Sequence, residues 1–425
     1  MSSGTKFAIT AKLDTDWVRQ QFPALKQTVN SRPAVFFDAP GGTQVPQRVI
    51  DAIGNYLATS NSNTHGAFAT SEKTDLVIAE ARAAMADFFN CSADEVVFGA
   101  NMTTLTFALS RAIGRELKPG DELLVTCLDH DANVSPWVCL EERGAKVRTA
   151  DVRPSDCTLD MFDLSAKIRR STRLVAIGWA ANAVGTINDV AEVVRMARAA
   201  GASSFVDAVH YAPHGPIDVR ALDCDFLACS SYKFFGPHLG ILYGKRDQLQ
   251  RLRPYKVRAC SEQLPDRWET GTQNHEGLAG LTAAVDYLAD VGRRHHPGLN
   301  SRREAILAAY AVIRQHEREL SEKLIAGLLA IPGLTFYGIQ DMRHLDNRTP
   351  TVAIRLAGYT PRELAAKLGE RGIFTWDGNY YAINLTERLG LEQSGGMLRI
   401  GMAHYNTAEE VESLLEELKQ LATGK

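Results

Sequence analysis

The chain has 425 residues and 45% hydrophobic content, more than one hydrophobic core usually supports, so a large domain with a smaller companion is expected. A formal net charge of -3 gives no electrostatic reason to expect nucleic acid or an anionic membrane as partner. No apolar run approaches the ~20 residues that span a bilayer, and the polar stretch Met1 to Leu13 lacks the apolar core of a signal peptide.

Residues 1–35 are expected to form an arm packed on another part of the fold, with Trp17, Val18 and Phe22 sharing a face of a short amphipathic turn. A large domain follows over 36–295. Its start, Phe36 to Gly42 (FFDAPGG), ends a strand in a Pro-Gly-Gly turn, where missing side chains let the backbone come close to a ligand. From about Ser71 to Phe89 the residues Ile78, Ala81, Met85 and Phe88 recur at helical spacing. A strand at Glu95 to Phe98 then leads through a small polar loop, Gly99 to Thr104, into a helix with Leu105, Ala108, Leu109 and Ala112 on one side. That order turns free backbone N–H groups and the positive end of a helix dipole toward an anion; the pair Thr103-Thr104 equally suits a plain helix cap. Strands are expected at Glu122 to Thr126, ending in CLDHDANVSPW, and at Arg173 to Trp179, leading into AANAVGT, with a helix from about Val190 to Ala200. Strand and helix alternate from 95 to 245, which predicts an α/β fold with a mostly parallel, doubly wound sheet.

Two short apolar runs, Ser204 to Val206 and Phe226 to Cys229, read as buried parallel strands, and each ends in polar residues where an open α/β sheet places its ligands. Asp207 and Lys233 thus fall at neighbouring strand ends. A lysine there can form an imine with a carbonyl cofactor, and an aspartate can keep a pyridinium nitrogen protonated; pyridoxal phosphate needs both. Ser230, Ser231 and Tyr232 add hydroxyls suited to a phosphate ester. Beyond Lys245 a basic, irregular segment reaches Asn274 and reads as solvated surface. A long helix is expected from about Ser301 to Leu329, within a smaller α+β domain over 296–425 that has strands at Leu334 to Tyr337, Thr351 to Leu356, Phe374 to Trp376 and Leu398 to Met402. Thr360-Pro361-Arg362-Glu363 and Thr407-Ala408-Glu409-Glu410 are capping boxes that start helices. The seven cysteines, at 91, 127, 139, 157, 224, 229 and 260, stand singly without metal-ligand or disulfide spacing. They fit free thiols in a reducing cytoplasm, and no metal is expected.

Asp207 with His210 three residues on, followed by SSYKFFGPHLGILY, closely resembles the cofactor segment of the class V aminotransferases, pyridoxal-phosphate enzymes of fold type I, and within them the cysteine desulfurase branch. The resemblance extends from about Phe36 to the C-terminus. It implies pyridoxal 5'-phosphate as cofactor, a small-molecule amino acid substrate, and a homodimer with shared active sites. On the same resemblance Lys233 carries the cofactor, Asp207 holds its ring nitrogen with His210 close by, and Asn182 bonds its ring hydroxyl oxygen. His130 stacks on the ring and relays protons. Thr103, Thr104, Ser230 and Tyr232 belong to the phosphate site, although the family commonly has Gly-Thr-Thr where this chain reads Asn-Met-Thr-Thr. Thr272, after Gly271, is implied to reach across a dimer interface to the other subunit's phosphate, and the turn at 36–42 to border the substrate. Arg399, in GGMLRIGMAHYNT, matches the arginine that grips the substrate carboxylate, a bidentate geometry that lysine does not offer.

The chain departs from the desulfurase pattern at the small-domain loop that carries a nucleophilic cysteine in that branch. Here the loop reads Trp376-Asp377-Gly378-Asn379-Tyr380-Tyr381-Ala382, with Tyr381 in the cysteine's place and Trp376 in that of a preceding arginine. A phenol with a pKa near ~10 is largely protonated at neutral pH and does not accept sulfur as a persulfide. Cys260, with Arg258 nearby, is the one substitute thiol the sequence suggests. The expected reaction is Cα deprotonation of an amino acid by Lys233 through an external aldimine, followed by a lyase-type β-elimination. His130, Tyr381, Asn379, Trp376 and His65 are expected above the ring, with Tyr381 as proton donor and Asn379 and His65 as substrate contacts. Alternatives are an aminotransferase passing the amino group to a keto acid, and a catalytically silent cofactor-binding partner protein. A nicotinamide-dependent dehydrogenase is excluded, because no G-x-G-x-x-G follows the first strands.

Overall fold

A computed structural model describes residues 12–424. The first part of the expected arm, and nearly all of the stretch read as lacking a signal sequence, lie outside these residues. The described part of the arm is packed down: Val18 and Phe22 are fully buried, and Trp17 stacks on Tyr287 with 6.3 Å between ring centroids.

A seven-stranded sheet forms the large layer. Its strands are β1 (Val96–Gly99), β2 (Glu122–Thr126), β3 (Lys146–Ala150), β4 (Thr172–Gly178), β5 (Ser203–Asp207), β6 (Phe226–Ser230) and β7 (Gly240–Gly244). The spatial order is β1-β7-β6-β5-β4-β2-β3, and only β7 runs antiparallel to its neighbours. The near-continuous apolar runs of β1, β2 and β4 through β7 suit strands covered on both faces. The covering helices include α1 (Ala69–Phe89), α2 (Met102–Ile113), α3 (Val190–Ala199), α4 (His275–His295) and α5 (Arg302–Leu329). Because β7 alone is reversed, the carboxyl ends of β1, β2, β4, β5 and β6 share one edge of the sheet, the edge where open α/β sheets bind ligands.

Beyond it stands a four-stranded sheet of β8 (Leu334–Tyr337), β9 (Thr351–Leu356), β10 (Trp376–Gly378) and β11 (Met397–Gly401), ordered β8-β9-β11-β10. The helices α6 (Pro361–Glu370) and α7 (Ala408–Thr423) belong to the same region, each opened by its capping box. The single strand expected at Phe374 to Trp376 is two: Ile373–Phe374 pairs with Val35–Phe36, and after Thr375 the chain changes partner so that β10 pairs with β11. Pairing, which sequence periodicity does not encode, decides that break. The α4 helix stands where the sequence reading placed no element, although Leu278, Leu281, Val285 and Leu288 recur at helical spacing along its buried face. The α5 helix ties the two cores together. Its first half, with Ala305, Ile306, Ala309 and Ile313, packs in the core of the large sheet, and its second half, with Leu320, Leu324, Ile325 and Leu328, in that of the small one. No described helix is long and apolar enough to cross a membrane.

The α4–α5 contact is close because Gly292 has no side chain: a Cβ there would collide with the carbonyl of Ala305. Gly292→Ala is therefore expected to destabilise the chain by about 1–3 kcal/mol, the usual cost of overpacking. Thermal or denaturant unfolding checks this, and an unchanged midpoint would contradict the packing described.

Candidate active site

The carboxyl edge of the large sheet opens into a cavity of about 950 Å³. Asp207 enters from the end of β5, Ser230 from β6, Gly178 from β4, His130 from the segment after β2, and Asn101 to Thr104 from the start of α2. The small sheet closes the other side with Trp376 to Tyr381 and Arg399.

Lys233 follows β6 in a tight turn braced by its own backbone, with Phe234 N and Gly236 N both donating to Ser231 O at 2.9 Å. The Pro-Gly-Gly turn is bonded to this segment: Thr43 N donates to Tyr232 O at 3.0 Å, and Phe235 N to Thr43 Oγ1 at 2.8 Å. Lys233 Nζ in turn donates to Pro40 O at 2.5 Å. A Cβ at Gly41 would overlap the Trp376 indole, so the glycine is what lets this turn pass beneath the small-sheet loop. Burial pushes the Lys233 amine down to about 7, reinforced by the Arg399 charge and opposed by Asp207. Near neutral pH a large fraction of it is the unprotonated form that reacts with carbonyls and abstracts protons.

Asp207 is buried and accepts a hydrogen bond from Val209 N at 2.9 Å. Burial raises its carboxyl to about 6, against that bond and the Lys233 charge. Beside it lies Asp129, which accepts from Gly178 N at 2.6 Å and from Asn133 Nδ2 at 3.3 Å; burial and the Asp207 charge push it well above the carboxylate range. His130 accepts from Ala132 N at Nδ1, 2.9 Å away, so the neutral ring carries its proton on Nε2. Burial, with Lys233 and Arg399 adding to it, lowers His130 to about 4. The ring is a neutral hydrogen-bond donor at physiological pH.

At the other end of the cavity Asn101 caps α2, accepting from Thr104 N at 2.8 Å and Thr104 Oγ1 at 2.9 Å. The cap is thus asparagine rather than the threonine pair, and Thr103 stays exposed toward the cavity. Ser230 Oγ accepts from Met102 N at 3.0 Å and keeps its own proton. Tyr232 stacks on His238, 4.9 Å between centroids. The helix start, the Thr103 N–H and the neighbouring hydroxyls suit a phosphate.

Arg399 projects from β11, buried, with its guanidinium 4.2 Å from the centroid of the Tyr380 ring and Nη1 donating to Asn182 O at 2.9 Å. Its Nε has no partner, nor does Asn182 Oδ1. Both residues line the cavity. Asp38, whose carboxyl burial raises to about 6, also leaves Oδ1 without a partner while its charge acts on Arg399.

The Asn379-Tyr380-Tyr381 loop is held by its neighbours. Asn182 Nδ2 donates to Tyr380 O at 2.8 Å, Asp131 N to Tyr381 O at 2.7 Å, Tyr381 N to Asn379 Oδ1 at 3.0 Å and Asn379 Nδ2 to Glu392 Oε1 at 2.9 Å. Tyr380 and Tyr381 both have left-handed backbone, φ 56° and 60°, a costly conformation for aromatic residues. The result sets the 67% exposed Tyr381 against His130, with 5.3 Å between ring centroids.

Of the residues singled out in sequence, Lys233, Asp207, His210, Asn182, Thr103, Thr104, Ser230, Tyr232, His130, Asn379, Tyr381 and Arg399 all line this one cavity. His65 and Thr272 do not: His65 is exposed and paired with Asp75 at 3.3 Å, and Thr272 lies on the surface. Cys260 is also outside, its thiol donating to the carbonyls of Asp266 and Glu269, and no cysteine is among the cavity's residues. Sequence reading missed Tyr380 and His238 as parts of the wall, and Asp38, whose charge acts on Arg399 from outside it. Asp38 had a signal, an acid closing the apolar run Val35 to Phe37, but in sequence that acid reads as part of a turn.

The donor set fits pyridoxal phosphate: a lysine amine lowered to about 7, a buried carboxyl, a neutral histidine, an orphaned asparagine oxygen and a helix start, all from residues that line one cavity. Known proteins agree. A cysteine desulfurase of Pectobacterium atrosepticum is 31% identical over 95% of this chain and 97% of its own length. One of Synechococcus elongatus is 33% identical over 99% of this chain and 66% of its own. Among solved structures, the apo cysteine desulfurase of Thermococcus onnurineus superposes with a TM-score of 0.86 at 26% identity, covering 98% of this chain and all of that one. The S-sulfonic acid form of the Escherichia coli cysteine desulfurase CsdA gives 0.82 at 27% identity, over 96% and 98%. The family model for aminotransferase class-V matches residues 35–414, and the chain belongs to that family of pyridoxal-phosphate enzymes of fold type I.

Proposed function

We propose that the protein is a lyase acting on an L-amino acid that carries a leaving group on its β-carbon, and that it works without a persulfide cysteine. The observation that carries this reading is the mouth of the cavity: Tyr381 stands over His130, and no thiol is within the lining. Pyridoxal phosphate, when bound, supplies a ring that accepts the electron pair left at the substrate's α-carbon.

The chain's own groups do the rest. Arg399 receives the substrate carboxylate on a guanidinium whose Nε lacks a partner, with the Tyr380 ring packed against it. Lys233, whose amine burial lowers to about 7 so that a large fraction of it is unprotonated near neutral pH, removes the α-proton. Asp207 holds a proton at the ring nitrogen's position. Asn182 and His210 line the wall beside it, and the start of α2 with Thr103, Thr104, Ser230 and Tyr232 binds phosphate. His130 Nε2–H and the Tyr381 hydroxyl are the proton donors available to the leaving group. The active unit is a homodimer in which the exposed Gly271-Thr272 segment completes the partner's phosphate site. Glu269 supports the idea of a fixed segment there: it is clamped by Arg82 through two 2.8 Å bonds and accepts from Phe98 N at 2.8 Å.

Incubating the holoenzyme with a panel of β-substituted L-amino acids is expected to release pyruvate and ammonia in equal amounts. A keto acid without ammonia would establish transamination instead. Sulfide release that passes through a protein-bound persulfide would contradict the thiol-free reading. Arg399→Lys is expected to lower kcat/KM by roughly 10- to 100-fold, in line with the ~1.5–3 kcal/mol of a charge-assisted hydrogen bond. Measured rates for the two forms check this.

The Lys233 amine, held at about 7, is mostly charged below that pH and mostly neutral above it. Reconstitution of the apoprotein with pyridoxal phosphate, followed by absorbance, is therefore expected to accelerate from pH 6 to 8 and level off. A rate that keeps climbing toward pH 10, as for an ordinary lysine with a pKa near ~10.4, would contradict the assignment.

A further inference from the structure

Behind the catalytic cavity, in the crevice between α5 and the segment before β9, lies a second cavity of about 280 Å³. It is below the roughly 300 Å³ at which pockets for drug-sized ligands begin, so its occupant is small. Its charged lining consists of Arg314, Arg318 and Arg348 against Glu317 and Asp346, with His214 as the remaining titratable base. Both acids are already engaged. Glu317 accepts from His214 Nδ1 at 3.0 Å, and Asp346 pairs with Arg318 at 2.5 Å. That leaves two guanidinium groups without a carboxylate.

Arg348 is the unusual one. It is only 6% exposed, and its hydrogen bonds go to the backbone carbonyls of Thr349, Ile339, Val184 and Thr351. Four bonds leave one of its five N–H groups unused. A buried cation without a counter-ion is costly, and burial alone draws its pKa down to about 9. Arg314, on the cavity's rim, makes no hydrogen bond or ion pair with any described residue. The planar donors of arginine match the oxygens of carboxylate and phosphate.

We propose that this rear cavity binds a small oxyanion between Arg314 and Arg348, at a site separate from the catalytic cavity and in hydrogen-bonded contact with it. The contact is one side chain thick. Thr349 lines the rear cavity, His210 lines the catalytic one, and Thr349 Oγ1 lies 3.1 Å from His210 Nε2. Thr349 Oγ1 also donates to Gly185 O at 3.3 Å, which uses its only proton, so His210 Nε2 is the donor to Thr349. His214, in the rear wall, packs edge-on against His210 with 5.6 Å between centroids. An anion in the rear cavity thus acts on the residue that faces the cofactor's place, independently of which amino acid the enzyme converts.

Calorimetric titration of the holoenzyme with inorganic phosphate tests the site. One saturable site per chain is expected, weakened at least about tenfold in Arg314→Glu and unaffected by Arg399→Gln, because one charge-assisted contact is lost in the first and none in the second. No saturable binding would overturn the proposal. So would binding that survives Arg314→Glu and disappears with Arg399→Gln, since the anion would then occupy the catalytic cavity. Phosphate is also expected to shift the pH midpoint of the cofactor's absorbance, and Thr349→Val to remove that shift while leaving binding intact. An unshifted midpoint at saturating phosphate would overturn the coupling.

Discussion

The structure depends on holding Lys233, Asp207 and Arg399 together out of water. One carboxylate faces two cations at the carboxyl edge of the sheet, and burial shifts every member toward its uncharged form. Solvated, the same lysine would be almost wholly protonated at neutral pH and inert as a base or nucleophile. Desolvation thus gives the amine its unprotonated form, and the fold supplies it: β5, β6 and their turns set Asp207 and Lys233 side by side, and β11 brings Arg399 across from the small sheet. The α5 helix, shared by both cores, fixes the distance between the two sides.

The second constraint is the loop at the mouth. Two successive aromatic residues in left-handed backbone conformation do not arise without compensation. Here the compensation is visible in the bonds from Asn182, Asp131 and Asn379 and in the insertion of Tyr380 over Arg399. The loop's strain and the placement of Arg399 are parts of one arrangement: Tyr380 stacks on the arginine, and the same turn delivers Tyr381 to His130. A loop so fastened suits a fixed cover for a reaction completed inside the cavity.

Much of this is legible in the sequence, because strand ends in a parallel sheet are local features. The runs at 122–126, 334–337 and 351–356 coincide with strands, and the polar residues that follow the central strands are those that line the cavity. What escapes is long-range. Asp38 comes to act on Arg399 through long-range pairing: Val35–Phe36 pairs with Ile373–Phe374, a partner more than three hundred residues away, and Asp38 itself bridges to Gly401. Thr375 interrupts an apolar run for the same reason. The rear cavity is formed by α5 meeting the segment before β9, and Arg348 looks in sequence like any surface arginine. His65, expected near the substrate, stands outside because its own loop turns it toward Asp75.

The most direct measurement is chemical. The holoenzyme, reduced with borohydride, digested and mapped by mass spectrometry, is expected to carry the reduced cofactor on Lys233 alone. Modification of a different lysine, or none with pyridoxal phosphate in excess, would contradict the assignment of this buried amine as the reactive centre.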